Sequence, residues 1–107
     1  RQMCIRDRNQ VKELNLNKNR LVKIDLNLEK LEKLSIFGNY LTHLKNFVFK
    51  HLVCLKILDF NFNKLGLIEL KVFQALNNLT ELFLQYNSLT KLPSKLFINS
   101  GKLITIR

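Results

Sequence analysis

The chain repeats one apolar template, Leu-x-x-Leu-x-Leu-x-x-Asn-x-Leu, in which other apolar residues replace some leucines. The copies open at Val11, Leu31, Leu55, Leu79 and Leu103, so they are 20, 24, 24 and 24 residues apart. A fixed period in this range indicates a solenoid, in which one short structural unit is copied along an axis. The repeat therefore predicts the fold before composition or charge is considered, and chains of this kind usually bind other molecules rather than catalyse reactions.

Each copy begins with apolar residues that alternate with more polar neighbours. Leu34 and Ile36 show this alternation in one copy, and Leu58 and Phe60 show it in the next. A period of two is typical of a half-buried strand, whose successive side chains point to opposite faces. We expect neighbouring copies to pair as short parallel strands, with the leucines directed inward and the intervening residues forming a concave sheet face.

A column of asparagines falls where the chain turns away from each predicted strand. Its members are Asn19, Asn39, Asn63 and Asn87. A buried amide at such a turn can both donate to and accept from backbone groups that the turn leaves unpaired. The sequence therefore predicts a structural ladder of asparagine side chains along the solenoid.

The segment that returns from one strand to the next carries a second apolar column. Phe49, Phe73 and Phe97 recur at intervals of 24 residues, which is the period of the repeat itself. Three stacked rings could in principle hold a flat cofactor, but a ring in every matched place is better explained by core packing. We therefore predict a phenylalanine spine in the core and no bound cofactor.

These features resemble the leucine-rich repeat family, and its 24-residue repeats in particular. The resemblance covers residues 11–107, and the fullest copy is Leu79-Thr-Glu-Leu-Phe-Leu-Gln-Tyr-Asn-Ser-Leu-Thr-Lys-Leu-Pro-Ser-Lys-Leu-Phe97. The repeats are similar to those of Toll-like receptors, variable lymphocyte receptors and small leucine-rich proteoglycans. The resemblance implies an α/β-type solenoid: a right-handed arc with a concave parallel sheet and irregular or short-helical convex return legs. It would comprise about four repeats and the start of a fifth.

The resemblance also implies recognition of a protein ligand on the concave face. Clustered exposed aromatic rings are frequent anchors of protein interfaces, and four of them fall at outward strand positions. The predicted ligand-contacting residues are Phe37, Phe83, Tyr86, Phe62, Asp59, Glu81, Lys33 and Ile57. For Phe62 and Tyr86, which immediately precede the asparagine, the alternative is that the rings fold over the strand edge as packing.

The chain carries a net charge of +10, which raises the question of nucleic-acid binding. On the predicted sheet face, however, five basic and four acidic residues leave a net charge of only +1. Nucleic-acid binding requires a continuous basic track with stacking aromatics, whereas the remaining lysines are scattered over the return legs. The sequence therefore predicts no nucleic-acid partner, and it leaves open a weak attraction to anionic glycans or lipid headgroups.

Signatures of an enzyme or a metal site are missing from the sequence. His43 and His51 lie near Cys54, but nothing in their spacing turns them toward one another, and no second cysteine or carboxylate pair joins them. Zinc sites and Cys-His nucleophiles both need such a convergent set. We predict no catalytic residue, no cofactor and no metal, with the histidines at the surface.

The first eight residues lie outside the repeat. Arg1 to Arg8 resembles the translation of an adapter used in DNA sequencing libraries, and we expect this segment not to be native. The alternative is a native cap strand in which Met3 and Ile5 cover the first repeat. Without Cys4, Cys54 is a single thiol and provides no disulfide framework. The other end of the chain stops at the opening of a fifth repeat, so the sequence looks like a fragment.

The cellular location has only one pointer in the sequence. Asn78-Leu79-Thr80 matches the acceptor pattern for N-glycosylation, which would require passage through the secretory pathway. We expect an extracellular or cell-surface receptor or adhesion protein. An intracellular scaffold or substrate-recognition segment of a larger multidomain protein is the alternative, and membrane attachment would come only from segments outside this sequence.

Overall fold

The computed structural model describes residues 12–20 and 26–89, together with the strand at residues 105–106. The strands are β1 (Glu13–Asn15), β2 (Lys33–Ser35), β3 (His43–Leu44), β4 (Ile57–Asp59), β5 (Leu67–Ile68), β6 (Glu81–Phe83) and β7 (Thr105–Ile106). Five of them form one parallel sheet in the order β1-β2-β4-β6-β7, and the other two form a small second parallel sheet, β3-β5. The molecule is an arc of a solenoid with parallel strands, as the repeat predicts.

The strands of the large sheet pair in the same register in every repeat. Leu14 lies opposite Leu34, which lies opposite Leu58, which in turn lies opposite Leu82. The first pair is separated by 20 residues and the others by 24, so the shorter first return leg does not shift the register. β6 pairs in turn with β7, so that Glu81 lies opposite Thr105 and Leu82 lies opposite Ile106.

The core consists of the inward side chains predicted from the alternation. Leu34, Ile36, Leu58 and Phe60 are completely buried, and Leu82 is buried beside them. Each such side chain stabilises the fold by about 1.5–3 kcal/mol through removal of apolar surface from water. The sheet is therefore held to the return legs mainly by these buried apolar contacts.

The phenylalanine spine is confirmed for the two rings that the structure describes. Phe49 and Phe73 are buried and nearly parallel, with ring centroids 6.1 Å apart and planes inclined by 8°. Phe49 also lies 5.7 Å from Phe60, which joins the return leg to the strand layer. The third predicted member, Phe97, lies outside the described residues.

The asparagine ladder forms hydrogen bonds that connect successive turns. Asn39 and Asn63 are buried, and Asn87 is half-buried, whereas Asn19 at the start of the described arc is exposed. Asn39 Nδ2 donates to the carbonyl oxygens of both Leu16 (2.8 Å) and Ile36 (3.2 Å). Its Oδ1 accepts from the backbone N–H of Asn19 at 2.9 Å. One amide thus satisfies three backbone groups, and each group left unpaired in the interior would cost about 1–3 kcal/mol.

The described return legs take the irregular one of the two expected forms. Within the described residues they consist of turns and the two-stranded sheet, and no short helix is present. Leu44 and Ile68 are buried while His43 and Leu67 are exposed, so each leg begins with its own two-residue alternation. This local period of two favours extended backbone, and neighbouring legs pair in register.

Cys54 departs from the single thiol expected when residues 1–8 are discarded. It is buried and belongs to a disulfide bond. The only other cysteine of the sequence, Cys4, lies outside the described residues. In residues 12–20 and 26–89 there is also no helix with the length and hydropathy of a membrane span.

Candidate ligand-binding surface

One half of the concave face, at the beginnings of the strands, carries alternating charges. We call residues 12–13, 32–33, 56–57 and 80–81 the charged half. It contains the three lysines Lys12, Lys33 and Lys56 and the three glutamates Glu13, Glu32 and Glu81. Five of these charged residues, all but Glu81, line a shallow depression of about 420 Å³ together with Ile57. Lys56 Nζ lies 3.9 Å from Glu32 Oε1, and the net formal charge of this half is zero. A surface so balanced gives little long-range attraction to a highly charged ligand.

The middle of the face brings together two of the predicted contact residues. Phe83 lies directly opposite Asp59 in the sheet, and both side chains are half-buried. Asp59 Oδ1 accepts from the backbone N–H of Asn61 at 2.9 Å, and Asn61 Oδ1 accepts from the N–H of Gln85 at 2.6 Å. These bonds hold the backbone at the ends of the strands, so the side chains displayed there sit on a fixed frame.

The ends of the strands carry a stack of rings that we call the aromatic ladder: Phe37, Phe62 and Tyr86. The Phe37 and Phe62 centroids are 5.0 Å apart in an edge-to-face arrangement, and those of Phe62 and Tyr86 are 4.4 Å apart with planes inclined by 14°. Lys18 Nζ lies 5.9 Å from the Phe37 centroid. Each ring comes from a different repeat, so the ladder runs along the solenoid axis. Each contact of this type contributes about 0.5–1.5 kcal/mol beyond surface burial.

The backbone under the ladder adopts the left-handed region. Lys18, Phe62 and Tyr86 have φ values of 57°, 60° and 61°, and Gly38 at the matching place has a φ of 73°. Side chains other than glycine pay roughly 1–2 kcal/mol there because Cβ approaches a carbonyl oxygen. This conformation turns the Phe62 and Tyr86 rings outward, where 47% and 68% of their surfaces are exposed. Such local strain is retained where the surrounding structure holds it in place, and it is concentrated at functional sites.

A further column, which the sequence did not single out, immediately follows the asparagine column. It consists of two cations and a ring: Arg20, Tyr40 and Lys64. Lys64 Nζ lies 5.2 Å from the Tyr40 ring centroid, and Tyr40 is exposed. Gly38 is the sequence signal that could have located this part of the surface. A glycine in the column of Lys18, Phe62 and Tyr86 indicates a left-handed turn whose neighbours point outward.

Six of the eight predicted ligand residues therefore fall into two groups, and the other two lie between them. Phe37, Phe62 and Tyr86 lie together in the ladder, and the more exposed rings are Phe62 and Tyr86, which the sequence alone left evenly divided between binding and packing. Ile57 lies between Lys33 and Glu81 in the charged half, opposite both in register. Asp59 and Phe83 lie between these two groups.

The acceptor asparagine has a hydrogen-bonding role in the structure. Asn78 is half-buried, and its Nδ2 donates to the carbonyl oxygen of Val53 in the preceding repeat at 3.1 Å. A glycan would occupy that nitrogen. His43 and His51 are exposed, and His43 Nε2 lies 3.5 Å from Glu69 Oε2. Across the described ranges, no group of three or more histidine, cysteine, aspartate or glutamate side chains is placed to hold a metal ion.

A family model described as leucine rich repeat matches residues 29–89, more than half of the chain. The chain belongs to the leucine-rich repeat family. This fold is generally a binding scaffold rather than an enzyme. A search of curated protein sequences found no match.

A solved structure is similar to this leucine-rich repeat arc over most of its length. It is the crystal structure of a TLR13–ssRNA13 complex, which superposes with a TM-score of 0.86 at 34% sequence identity over 90% of the chain. The chain spans 14% of the length of that protein. The repeats are thus receptor-like in sequence and in shape.

Proposed function

We propose that the chain is a ligand-recognition segment of an extracellular or cell-surface receptor and that its concave face binds a protein ligand. The aromatic ladder is the observation that carries this proposal. Interfaces are anchored by a few large rings at well-packed positions, with charged groups around them. Here the exposed rings of Phe62 and Tyr86 are held by stacking and by a fixed backbone, so a ligand would meet an ordered surface.

Phe83 and Asp59 extend the proposed contact from the ladder onto the sheet. Their pairing places an apolar ring next to a carboxylate whose Oδ1 is already bonded to the backbone, so the position of the carboxylate is set before the ligand arrives. Preorganised groups lose less conformational entropy on binding, and this favours affinity. The charged half then provides a polar border with no net charge.

Site-directed photocrosslinking in the full-length protein tests the concave face. A photoreactive phenylalanine analogue replaces Phe83 in one variant and Gln74, an exposed residue of a return leg, in the matched control. We expect a discrete protein adduct from position 83 and none from position 74. Equal labelling at both positions, or no protein adduct at position 83, would contradict the proposal.

The receptor context is a part of the proposal that the similarity to TLR13 supports. The alternative is an intracellular scaffold or substrate-recognition segment of a multidomain protein. Impermeant biotinylation of intact cells that express the full-length protein separates the two. Labelling of the repeats from outside the cell supports the receptor, whereas labelling only after permeabilisation supports the intracellular scaffold.

Single-stranded RNA is a second candidate ligand. The similar solved structure is a complex of TLR13 with ssRNA13, and the expectation that this chain has no nucleic-acid partner therefore has no support. Fluorescence anisotropy of a labelled single-stranded RNA with the full-length protein tests the candidate. Salt-dependent binding supports it, because phosphate contacts release counterions. Absence of binding at physiological salt removes it.

A further inference from the structure

Charge is distributed unequally between the two ends of the sheet strands. The segments 17–20, 37–40, 61–64 and 85–88 follow the strands, and we call the edge that they form the turn edge. It carries the cations Lys18, Arg20 and Lys64, the rings Phe37, Tyr40, Phe62 and Tyr86, and no aspartate or glutamate. Its formal charge is +3, whereas the charged half at the other end of the strands has three cations balanced by three carboxylates.

Two of the three cations of the turn edge lie beside its rings. Lys18 lies at the Phe37 end of the aromatic ladder, 5.9 Å from that ring, and Lys64 lies 5.2 Å from Tyr40 in the neighbouring column. Rings attract these cations through their faces without neutralising the charge. The four segments contain no carboxylate, and Asp59 on the adjoining strand has one oxygen bonded to the Asn61 N–H. The positive charge is therefore available to an incoming anion.

The cations lie in the first and third of the four segments, and the rings lie in the second, third and fourth, so both recur along the solenoid axis. Neighbouring strands are about 4.8 Å apart, so neighbouring segments are displaced by that step, and an extended ligand could contact several of them. Single-stranded nucleic acids bind to basic grooves that follow the phosphates and to aromatic side chains that contact the bases. A ligand without anionic groups would leave the three cations unpaired, and lysine and arginine lose hydration when they are covered without a partner.

We infer that the turn edge is a binding track for a single-stranded nucleic acid, with phosphates at Lys18, Arg20 and Lys64 and bases against Tyr40, Phe62 and Tyr86. This inference rests on the RNA candidate described above and specifies where that ligand lies. The track is separate from the charged half, and it overlaps the proposed protein-binding face only through the aromatic ladder.

The charge component is tested with two triple variants of the full-length protein. K18Q/R20Q/K64Q removes the turn-edge cations, and K12Q/K33Q/K56Q removes three cations from the charged half. The two variants have equal net charge. With a labelled single-stranded RNA, the turn-edge variant should bind about tenfold or more weakly than the parent. The slope of log K against log salt concentration should become less negative by about 2, because each of the three lost phosphate contacts contributes about 0.7. The control variant should retain most of the salt slope.

The ring component is tested with F62L/Y86L, which keeps the charges. Loss of base contacts should lower RNA affinity on the order of tenfold and leave the binding of heparin, a polyanion without bases, unchanged. Circular dichroism confirms that each variant is folded.

The outcomes separate the two levels of the proposal. RNA binding that both triple variants weaken equally overturns the turn-edge location and leaves the RNA candidate standing. RNA binding that F62L/Y86L does not change, or a parallel loss of heparin and RNA binding, overturns the role of the rings. If the unaltered protein binds no RNA, the RNA candidate fails and the track fails with it.

Discussion

Asn63 Nδ2 donates a 2.8 Å hydrogen bond to the carbonyl oxygen of Ile36, which lies one full repeat earlier in the chain. The same nitrogen donates to the carbonyl oxygen of Phe60 at 3.0 Å, and Oδ1 accepts from the backbone N–H of Leu41 at 3.3 Å. A single side chain thus joins two turns of the solenoid. Asn87 repeats the arrangement with Phe60, Leu84 and Leu65, as its distances of 3.0, 3.2 and 3.0 Å show.

Replacement of this amide should destabilise the arc. We expect Asn63→Ala to lower the free energy of unfolding by about 1–3 kcal/mol for each buried backbone group that it leaves unpaired. Asn27→Ala, at an exposed position, is the control and should stay within about 0.5 kcal/mol of the parent. Urea unfolding followed by circular dichroism measures both. Equal midpoints for the two variants would show that water replaces the lost bonds.

Two phenylalanines in the same return leg should respond very differently to truncation. Phe49 is completely buried against Phe73 and Phe60, and Phe49→Ala should cost about 3–5 kcal/mol through loss of burial and formation of a cavity. Half of the surface of Phe47 is exposed, and its ring centroid lies 5.9 Å from Lys71 Nζ. Phe47→Ala should therefore cost about 0.5–1 kcal/mol. Thermal and urea unfolding compare the pair. A smaller loss for Phe49 than for Phe47 would refute the spine as the source of stability.

Deletion of residues 1–8 tests whether that segment is native. If it is adapter translation that contributes nothing to the fold, the deletion should leave the free energy of unfolding unchanged. If the disulfide of Cys54 stabilises the native fold, loss of Cys4 with the segment should cost about 2–4 kcal/mol. Sequencing of intact RNA across this end provides an independent reading, because an adapter would be missing from the native transcript.

Asn78 should carry no glycan in the mature protein. Its Nδ2 donates to the Val53 carbonyl oxygen, and a glycan on that nitrogen would hinder this bond between repeats. Treatment with an amidase that releases N-glycans in heavy-oxygen water, followed by peptide mass spectrometry, checks the site. Conversion of Asn78 to labelled aspartate would show that glycosylation is accommodated and would at the same time place the chain in the secretory pathway.

The inward half of the repeat could be predicted from the sequence because burial constrains it strongly. Leu58 and Phe60 are apolar, regularly spaced and fully buried, and Asn63 performs the role expected from its place in the turn. Periodicity carries this information directly, since any other strand register would expose the leucines. The return legs were less predictable, because a short apolar segment fits a turn, a strand or a helix.

The candidate surface was only partly predictable for a different reason. Sequence position identifies Phe62 and Tyr86 as neighbours of the asparagine column, but their orientation depends on a left-handed backbone that neither residue type favours. Lys64 acquires its significance from its proximity to Tyr40 of the preceding repeat, and Arg20 from a turn segment that contains no carboxylate. Neither property is visible until the segments are aligned in register.

The equal pairing of Leu34 with Leu14 and with Leu58, at sequence separations of 20 and 24 residues, has an evolutionary consequence. Residues can be gained or lost on the back of the arc without displacing any side chain on the front. The lengths of the return legs and the composition of the concave sheet face can then vary independently. Selection can alter the side chains of the face one strand at a time while the lengths of the return legs drift.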